Sequence, residues 1–527
     1  MGYAIVALIQ GVVKLFAFMF KGVHRLHEQR LLPLVGLTVA IGSCVAYVLY
    51  IIGRPELGSA LIPAIAIIPA AIVRAKSDTA KRRAKKAAKN FAFPLQSSEP
   101  HGVVFGKQGK TYIVKPEELD GHVLVVGGVG SGKSSCIAIP TLRRFSECVF
   151  AIDIKGELYE KSKEYRYNVK VFNPLDDNSY GYDPFFCLHH SNNPAQEARA
   201  IAQAIIPLPP DTKDPFWIES AQNIFTAAIL HFSAQGLSFQ QTVVQIQVYP
   251  PKELIGELCA SPTREASCFV NSFSGMDDKI VASIVSELSK NIVYFVTDKN
   301  LISALSRQKN ITPDDLEYGN DVFIQIPEHL LRQWKNLLTL IVNQFLTHFE
   351  KRSEENARPI LFLLDEFPRL GKVSSMLDGL ATLRSKKVSI CLIIQSLAQL
   401  DTIYGQNERK VISDTCAYKA VLGASDPETQ EYFSRLVGTY DKQVPTYTDQ
   451  REAYTGFQKG TSTNIQEQER RIIKPHEFGM LQDIVLLTPF SIPFKQKPPA
   501  SMPSGVDIPE TSVPFCRVEK CPYYLER

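Results

Sequence analysis

The chain has 527 residues, 45% of them apolar, with a formal net charge of +4. That length holds two or three domains and supplies enough apolar residues for a sizeable core, while so even a charge balance assigns no partner by itself. Ten cysteines are scattered without framework spacing, several inside apolar runs (Cys136, Cys148, Cys391), which excludes a disulfide scaffold and points to buried thiols in a reduced compartment.

Residues 5–20 form an apolar run interrupted by Lys14, read as an interfacial helix or an extra membrane span. Residues 31–52 are apolar without a charge, about 22 residues, enough to cross a bilayer as a helix. Gly53-Arg54-Pro55-Glu56 breaks this run, and residues 57–73 form a second uncharged one. Together they predict a helical hairpin with a very small polar loop. Lys21, Arg25 and Arg30 precede it, and Arg74, Lys76, Lys81, Arg82, Arg83, Lys85, Lys86 and Lys89 follow it. By the positive-inside rule both flanks are cytoplasmic, and so is everything after residue 74. The basic run lacks interleaved aromatics, so it reads as an anchor on anionic membrane lipid rather than a nucleic-acid strip.

Residues 122–126 predict a short apolar strand, followed by Gly127-Gly128-Val129-Gly130-Ser131-Gly132-Lys133-Ser134 and then a helix from Ser135. This is the G-x-x-x-x-G-K-[ST] pattern in its required strand–loop–helix context. Its glycines let backbone N–H groups turn inward around phosphate oxygens. Lys133 reaches the β- and γ-phosphates of ATP, and the Ser134 hydroxyl binds Mg²⁺. A further strand over residues 148–152 runs into Asp153-Ile154-Lys155-Gly156-Glu157. Residues 193–305 carry helical periodicity and few strand signals, which predicts an inserted all-α subdomain. Trp217 is expected to pack that subdomain rather than project into a pore.

Strand residues 321–326 lead into a long helix, and residues 359–364 form an apolar strand ending in Asp365-Glu366, a Walker-B pattern. Asp365 would hold Mg²⁺, and Glu366 would orient and deprotonate the attacking water. Arg384 precedes the strand at residues 388–394 and is a candidate arginine finger, with Lys386 and Lys387 as rivals. Gln395, at that strand's tip, is placed to sense the γ-phosphate. One more strand at residues 419–422 completes a parallel α/β sheet with ligands at strand C-termini. The Pro-rich stretch from Lys495 is expected to be an extended linker.

Residues 127–134, Asp153-Ile154-Lys155-Gly156-Glu157, Asn173-Pro174-Leu175-Asp176, Tyr182-Asp183-Pro184, Asp214-Pro215-Phe216-Trp217, Leu364-Asp365-Glu366-Phe367-Pro368 and Ile394-Gln395-Ser396 form a set. With the N-terminal hairpin, this set resembles the coupling ATPases of bacterial conjugation and type IV secretion. The resemblance covers residues 123–478 and the anchor. It implies a RecA-like P-loop domain with an inserted all-α domain, anchored in the bacterial inner membrane by a transmembrane hairpin and assembled as a homo-hexamer. It also implies ATP hydrolysis with Mg²⁺, recruitment of a relaxase–DNA complex or secreted effector proteins, and contact with other type IV secretion components. DNA would be held without strong sequence preference. Carried over by position, residues 127–135 bind nucleotide, with Lys133, Ser134 and Ser135 at the phosphate end. Asp365 and Glu366 do the Walker-B work, Gln395 is the sensor, and Arg384 matches the finger.

The expected segments are an anchor at 1–90, a nucleotide domain at 91–192 and 311–494, a helical domain at 193–310 and a tail at 495–527. The short loop at residues 53–56 departs from the small external domain of some relatives. Rival readings are a double-stranded DNA translocase of the chromosome-segregation type and a receptor that binds nucleotide without hydrolysis. The missing C-terminal DNA-reading domain argues against the first, and Glu366 against the second.

Overall fold

A computed structural model describes residues 95–209, 212–355, 357–451, 458–494 and 511–525. The expected membrane hairpin and basic run at 1–90 lie outside these residues. Among the described residues no helix is long and apolar enough to cross a membrane.

The chain enters through a small antiparallel sheet of β1 (Gln96–Ser97), β2 (Gly102–Gln108) and β3 (Thr111–Pro116). β4 (Val123–Gly127) opens the main sheet. α1 (Ile139–Arg144), β5 (Cys148–Ile152), α2 (Glu157–Ser162) and β6 (Val169–Phe172) follow. Helices then dominate as far as residue 305. The longer ones are α3 (Pro194–Ile205), α4 (Phe216–Ala234), α5 (Phe239–Val248), α6 (Pro251–Cys259) and α7 (Asp278–Ile292). The second half adds β7 (Asp321–Ile324), α8 (Leu331–Glu350), β8 (Ile360–Leu364), α9 (Met376–Thr382), β9 (Val388–Ile394), α10 (Leu397–Thr415), β10 (Tyr418–Gly423) and α11 (Pro427–Val437). A long hairpin, β11 (Thr439–Arg451) with β12 (Gln458–Arg471), precedes the last strands β13 (Ile484–Phe494) and β14 (Thr511–Val518).

The main sheet has nine strands in the order β14-β13-β10-β4-β9-β8-β5-β7-β6. The seven strands from β10 to β6 run parallel, and β13 and β14 close one edge antiparallel. β4, β5, β7 and β8 are buried at every position, because helices cover both faces of a parallel sheet. Their continuous Val, Ile, Leu and Phe runs follow from that. On one face α8 packs aromatic rings against the sheet: Phe150 lies 4.6 Å from Phe345 and 4.9 Å from Phe362 between centroids. Tilted rings at this spacing are favourable beyond the apolar area they bury.

Two expectations need correction. Thr511–Val518 is no linker, since it pairs in register with β13. Its Ser512-Val513-Pro514-Phe515-Cys516-Arg517-Val518 alternates well enough to pair, and its one proline, Pro514, falls on an edge strand at a break in the register. Trp217 is exposed and edge-on to Phe216 (5.2 Å), and the buried tryptophan is Trp334. At the first turn of α4, Trp217 falls outside the helix's buried stripe.

The starts of β5 and β7 are joined by a buried ion pair. Arg166 Nη2 and Nε lie 2.6 and 2.7 Å from the two oxygens of Asp321. The guanidinium also donates to the carbonyl of Glu147, and Asp321 accepts from the Val149 N–H. Both side chains are about 95% buried. Removing one partner strands the other charge, which typically costs about 3–5 kcal/mol. Arg166→Ala is therefore expected to lower the denaturation midpoint sharply. Arg166→Met with Asp321→Leu should recover most of that loss, as urea or thermal melts will read.

Candidate functional site

The site lies where β4, β9 and β8 end side by side. Register sets this. Val126 pairs with Ile394, and Leu392 pairs with Leu364. Adjacent strands stand about 4.8 Å apart. The loops that follow, carrying Gly128, Gln395 and Asp365, are thus forced into one crevice. The sequential strand β5 lies beyond β9 and β8 instead of next to β4. Such interruptions of strand order are where open α/β sheets take ligands.

Residues 127–134 leave β4 as a tight loop. Gly130 and Gly132 adopt φ of +74° and +96°, conformations that resist a side chain. A Cβ on Gly127 would stand 2.3 Å from Ser131 Oγ. Val129, at the crest, is exposed. After Lys133 the chain makes a wide helical turn over Ser134–Ala138 before settling into α1. Ser134 and Ser135 open that turn, half-buried. Lys133 is folded back, its Nζ donating to the carbonyls of Gly127 (2.6 Å) and Gly128 (3.1 Å). Burial lowers its pKa, opposed by the negative charges of Glu366 and Asp365.

Asp365 follows β8 and is buried, and its Oδ1 has no hydrogen-bond partner. Burial, then the carboxylates of Glu366 and Asp153, push its pKa up to about 6. An orphaned carboxylate oxygen on Asp365 and the hydroxyl of Ser134 are hard-oxygen donors of the kind that fit Mg²⁺ on a polyphosphate. Glu366 holds φ +51°, ψ +40°, a left-handed conformation that costs a non-glycine residue energy. Such strain concentrates at functional sites. Its Oε2 accepts a hydrogen bond from Gln395 Nε2 at 3.0 Å. Gln395 is fixed in turn through its own N–H, which donates to Gln399 Oε1.

Residues 127–135, Asp365, Glu366 and Gln395 therefore converge. Arg384 does not join them. It precedes β9, and its charge is felt at His122 and Tyr418, where β4 and β10 begin. The site is at the other end of these strands, about 15 Å away along β4. Arg384 is exposed and without an ion pair among the described residues. The rival cations are occupied, Lys386 with Glu354 at 3.5 Å and Lys387 with Asp120 at 3.3 Å.

The part played by two contributors was not legible in the sequence. The tip of β10 walls the loop on its other side: Gly128 N–H donates to the Gly423 carbonyl (3.3 Å), and Ser425 Oγ would lie 3.2 Å from a Cβ on Gly128. Asp153 is a clamp, its carboxylate accepting from the N–H groups of Leu158 (3.2 Å) and Tyr159 (2.9 Å). An Asp four residues before a helix start is a faint signal of such a clamp, and strand order alone brings β10 to the loop.

Comparison with known proteins agrees with this geometry. Residues 73–496 match the family model of type IV secretory system conjugative DNA transfer proteins. Protein VirD4 of Rhizobium rhizogenes is 26% identical over 402 residues, 72% of this chain and 59% of the relative. The conjugal transfer protein TraG of Escherichia coli is 24% identical over 413 residues, 70% of this chain and 63% of its own length. The chain thus spans about three fifths of the curated relatives it matches. Among solved structures, the plasmid coupling protein TrwB in complex with a non-hydrolysable ATP analogue superposes with a TM-score of 0.59 at 17% identity, over 81% of this chain and 90% of that one. Unbound TrwB lacking its N-terminal segment gives 0.58 at 18% identity, over 76% and 84%. The shared architecture is the α/β RecA-like nucleotide-binding fold. With well over half of its length matched by the family model, this chain belongs to the type IV secretory system conjugative DNA transfer family.

Proposed function

We propose that this protein is the coupling ATPase of a conjugation or type IV secretion machine. It recruits a relaxase-bound DNA strand or a secreted effector protein and uses ATP hydrolysis to drive the cargo into the channel. In this reading it works as a homo-hexamer, held at the bacterial inner membrane by residues 1–90 with the rest cytoplasmic. DNA passes without strong sequence preference. The observation that carries the reading is the Gln395–Glu366 hydrogen bond beside the orphaned Asp365 oxygen and the P-loop lysine. A binding platform needs Lys133 but has no use for a strained glutamate tied to a neighbouring strand tip.

The catalytic sequence follows from the residues. Lys133 leaves the carbonyls of Gly127 and Gly128 for the β- and γ-phosphates of ATP. The loop N–H groups of residues 128–135 take the remaining phosphate oxygens. Ser134 and Asp365 would hold Mg²⁺, which would supply positive charge against the transferring phosphoryl group. Glu366 orients a water molecule in line with the γ-phosphorus and takes its proton. Gln395 holds Glu366 before ATP arrives and exchanges that contact for the γ-phosphate, so the state of the nucleotide reaches β9. Arg384 completes the site of the next subunit around the ring, which is consistent with its distance from its own P-loop.

Steady-state ATP turnover of the full-length protein in detergent tests this directly. Lys133→Ala and Glu366→Gln should each lower kcat by about a hundredfold or more. Turnover unchanged in both sinks the motor reading. Mixing Arg384→Ala with Glu366→Gln subunits should restore part of the lost hydrolysis, since each mutant supplies what the other lacks. No rescue at any ratio removes Arg384 from the mechanism. Affinity capture from donor cells should recover a relaxase for a conjugative role, and unrelated effectors for a secretory one.

A further inference from the structure

The motif after β5 contains a second lysine that the mechanism above leaves unused. Residues 153–156 form a tight turn closed by the Gly156 N–H on the Asp153 carbonyl at 3.4 Å. Gly156 takes φ +70°, which lets the chain reverse directly into α2. Two of the four residues are buried anchors, Asp153 at 1% and Ile154 at 4% exposure. Asp153 is spent on structure: besides its two backbone donors it receives Gln325 Nε2 at 3.4 Å, from the end of β7. Lys155 sits at the crest of this rigid turn. Its side chain is exposed, with no ion pair or hydrogen bond among the described residues.

Its position in the sheet gives that cation a target. β5 pairs with β8 in register, Ile152 beside Leu364. Asp153 is therefore level with Asp365, and Lys155 stands just above the Walker-B pair. Along the crevice the order of loops is P-loop, Gln395, Asp365-Glu366 and then the turn bearing Lys155. That order puts Lys155 one strand beyond the Walker-B pair, on the side of it away from the P-loop. The charge of Lys155 is already felt at Lys133 from the opposite side of the site. It is felt as well at Glu328, which Arg369 engages at 2.6 Å. That ion pair satisfies the other acidic group in the field of Lys155 and leaves its ammonium free.

We propose that Lys155 is a second ligand of the ATP γ-phosphate, closing on it from the side opposite Lys133. It distinguishes the triphosphate from the diphosphate state. This inference rests on the ATPase reading. Two cations flanking the γ-phosphate stabilise the charge spread over its equatorial oxygens during transfer. The ammonium of Lys155 loses its partner when phosphate leaves, and the Asp153 clamp passes that change to β7 and α2, which carry it away from the site.

The test is equilibrium binding of fluorescent ADP and of a fluorescent non-hydrolysable ATP analogue, with Mg²⁺, to the full-length protein in detergent. Lys155→Ala should weaken the analogue by about tenfold, as expected for loss of one charge-assisted contact, and leave ADP within twofold. Lys155→Arg should keep most of the discrimination, and Lys155→Gln, of similar reach without charge, should lose it. The kcat of Lys155→Ala should fall more than its KM rises. Equal weakening of both nucleotides, or no change in either, overturns the assignment. If the wild-type protein binds neither nucleotide, the ATPase reading falls and this inference with it. Binding with intact ADP affinity in every variant, but no triphosphate preference in the wild type, overturns the inference alone.

Discussion

Parallel pairing of β4, β9 and β8 in one register is the constraint on which the site depends. A parallel strand carries its side chains alternately to two buried faces, and its chemistry can emerge only where the strand ends. Because these three strands end within two residues of one another, the glycine-rich loop, a glutamine and an Asp-Glu pair meet within a strand spacing or two. None of the three elements would form a site in isolation. A slip of β9 by one residue against β8 would turn Gln395 away from Glu366 and send every side chain of β9 to the opposite face.

The second organising feature is uncompensated charge. Asp365 and Asp153 are both buried, and Lys133 is held against carbonyls instead of a counter-ion. Burying these groups costs stability that a core of the same volume would not. The deficit is tolerated because a polyphosphate and a hard cation would complete it. Asp365 has an oxygen without a partner, and the Lys133 ammonium has only carbonyl acceptors, so a polyphosphate and a cation would add charge partners to both. Asp153 differs, since its carboxylate already has its donors. It works as architecture that holds a lysine at the rim.

Much of this was legible in the sequence. The strand–loop–helix at residues 122–142, the Asp-Glu strand tip and Gln395 all announce themselves through short-range pattern, because phosphate binding demands glycines and a lysine at fixed spacing. Pattern does not reach the edges of the sheet. Thr511–Val518 looks like linker in a Pro-rich stretch, yet it pairs with β13, a partner that only the fold supplies. The β11–β12 hairpin and the small sheet before β4 escaped for the same reason: strand pairing is non-local, and polar alternation is a weak signal. Trp217 was assigned to packing from residue type, whereas its place in the first turn of α4 leaves it exposed.

By itself, then, the sequence determined the groups on offer: a glycine-rich loop with Lys133, an Asp365-Glu366 pair at one strand tip and a polar Gln395 at another. These follow from local spacing, which covalent geometry carries directly into shape. Only the tertiary structure decided which groups face one another. It joined Gln395 to Glu366, placed Arg384 at the far end of the strands and set Lys155 beside the Walker-B pair while occupying Lys386 and Lys387 elsewhere. The physical reason is strand order, since hydrogen bonds between strands distant in sequence determine which loops share a crevice.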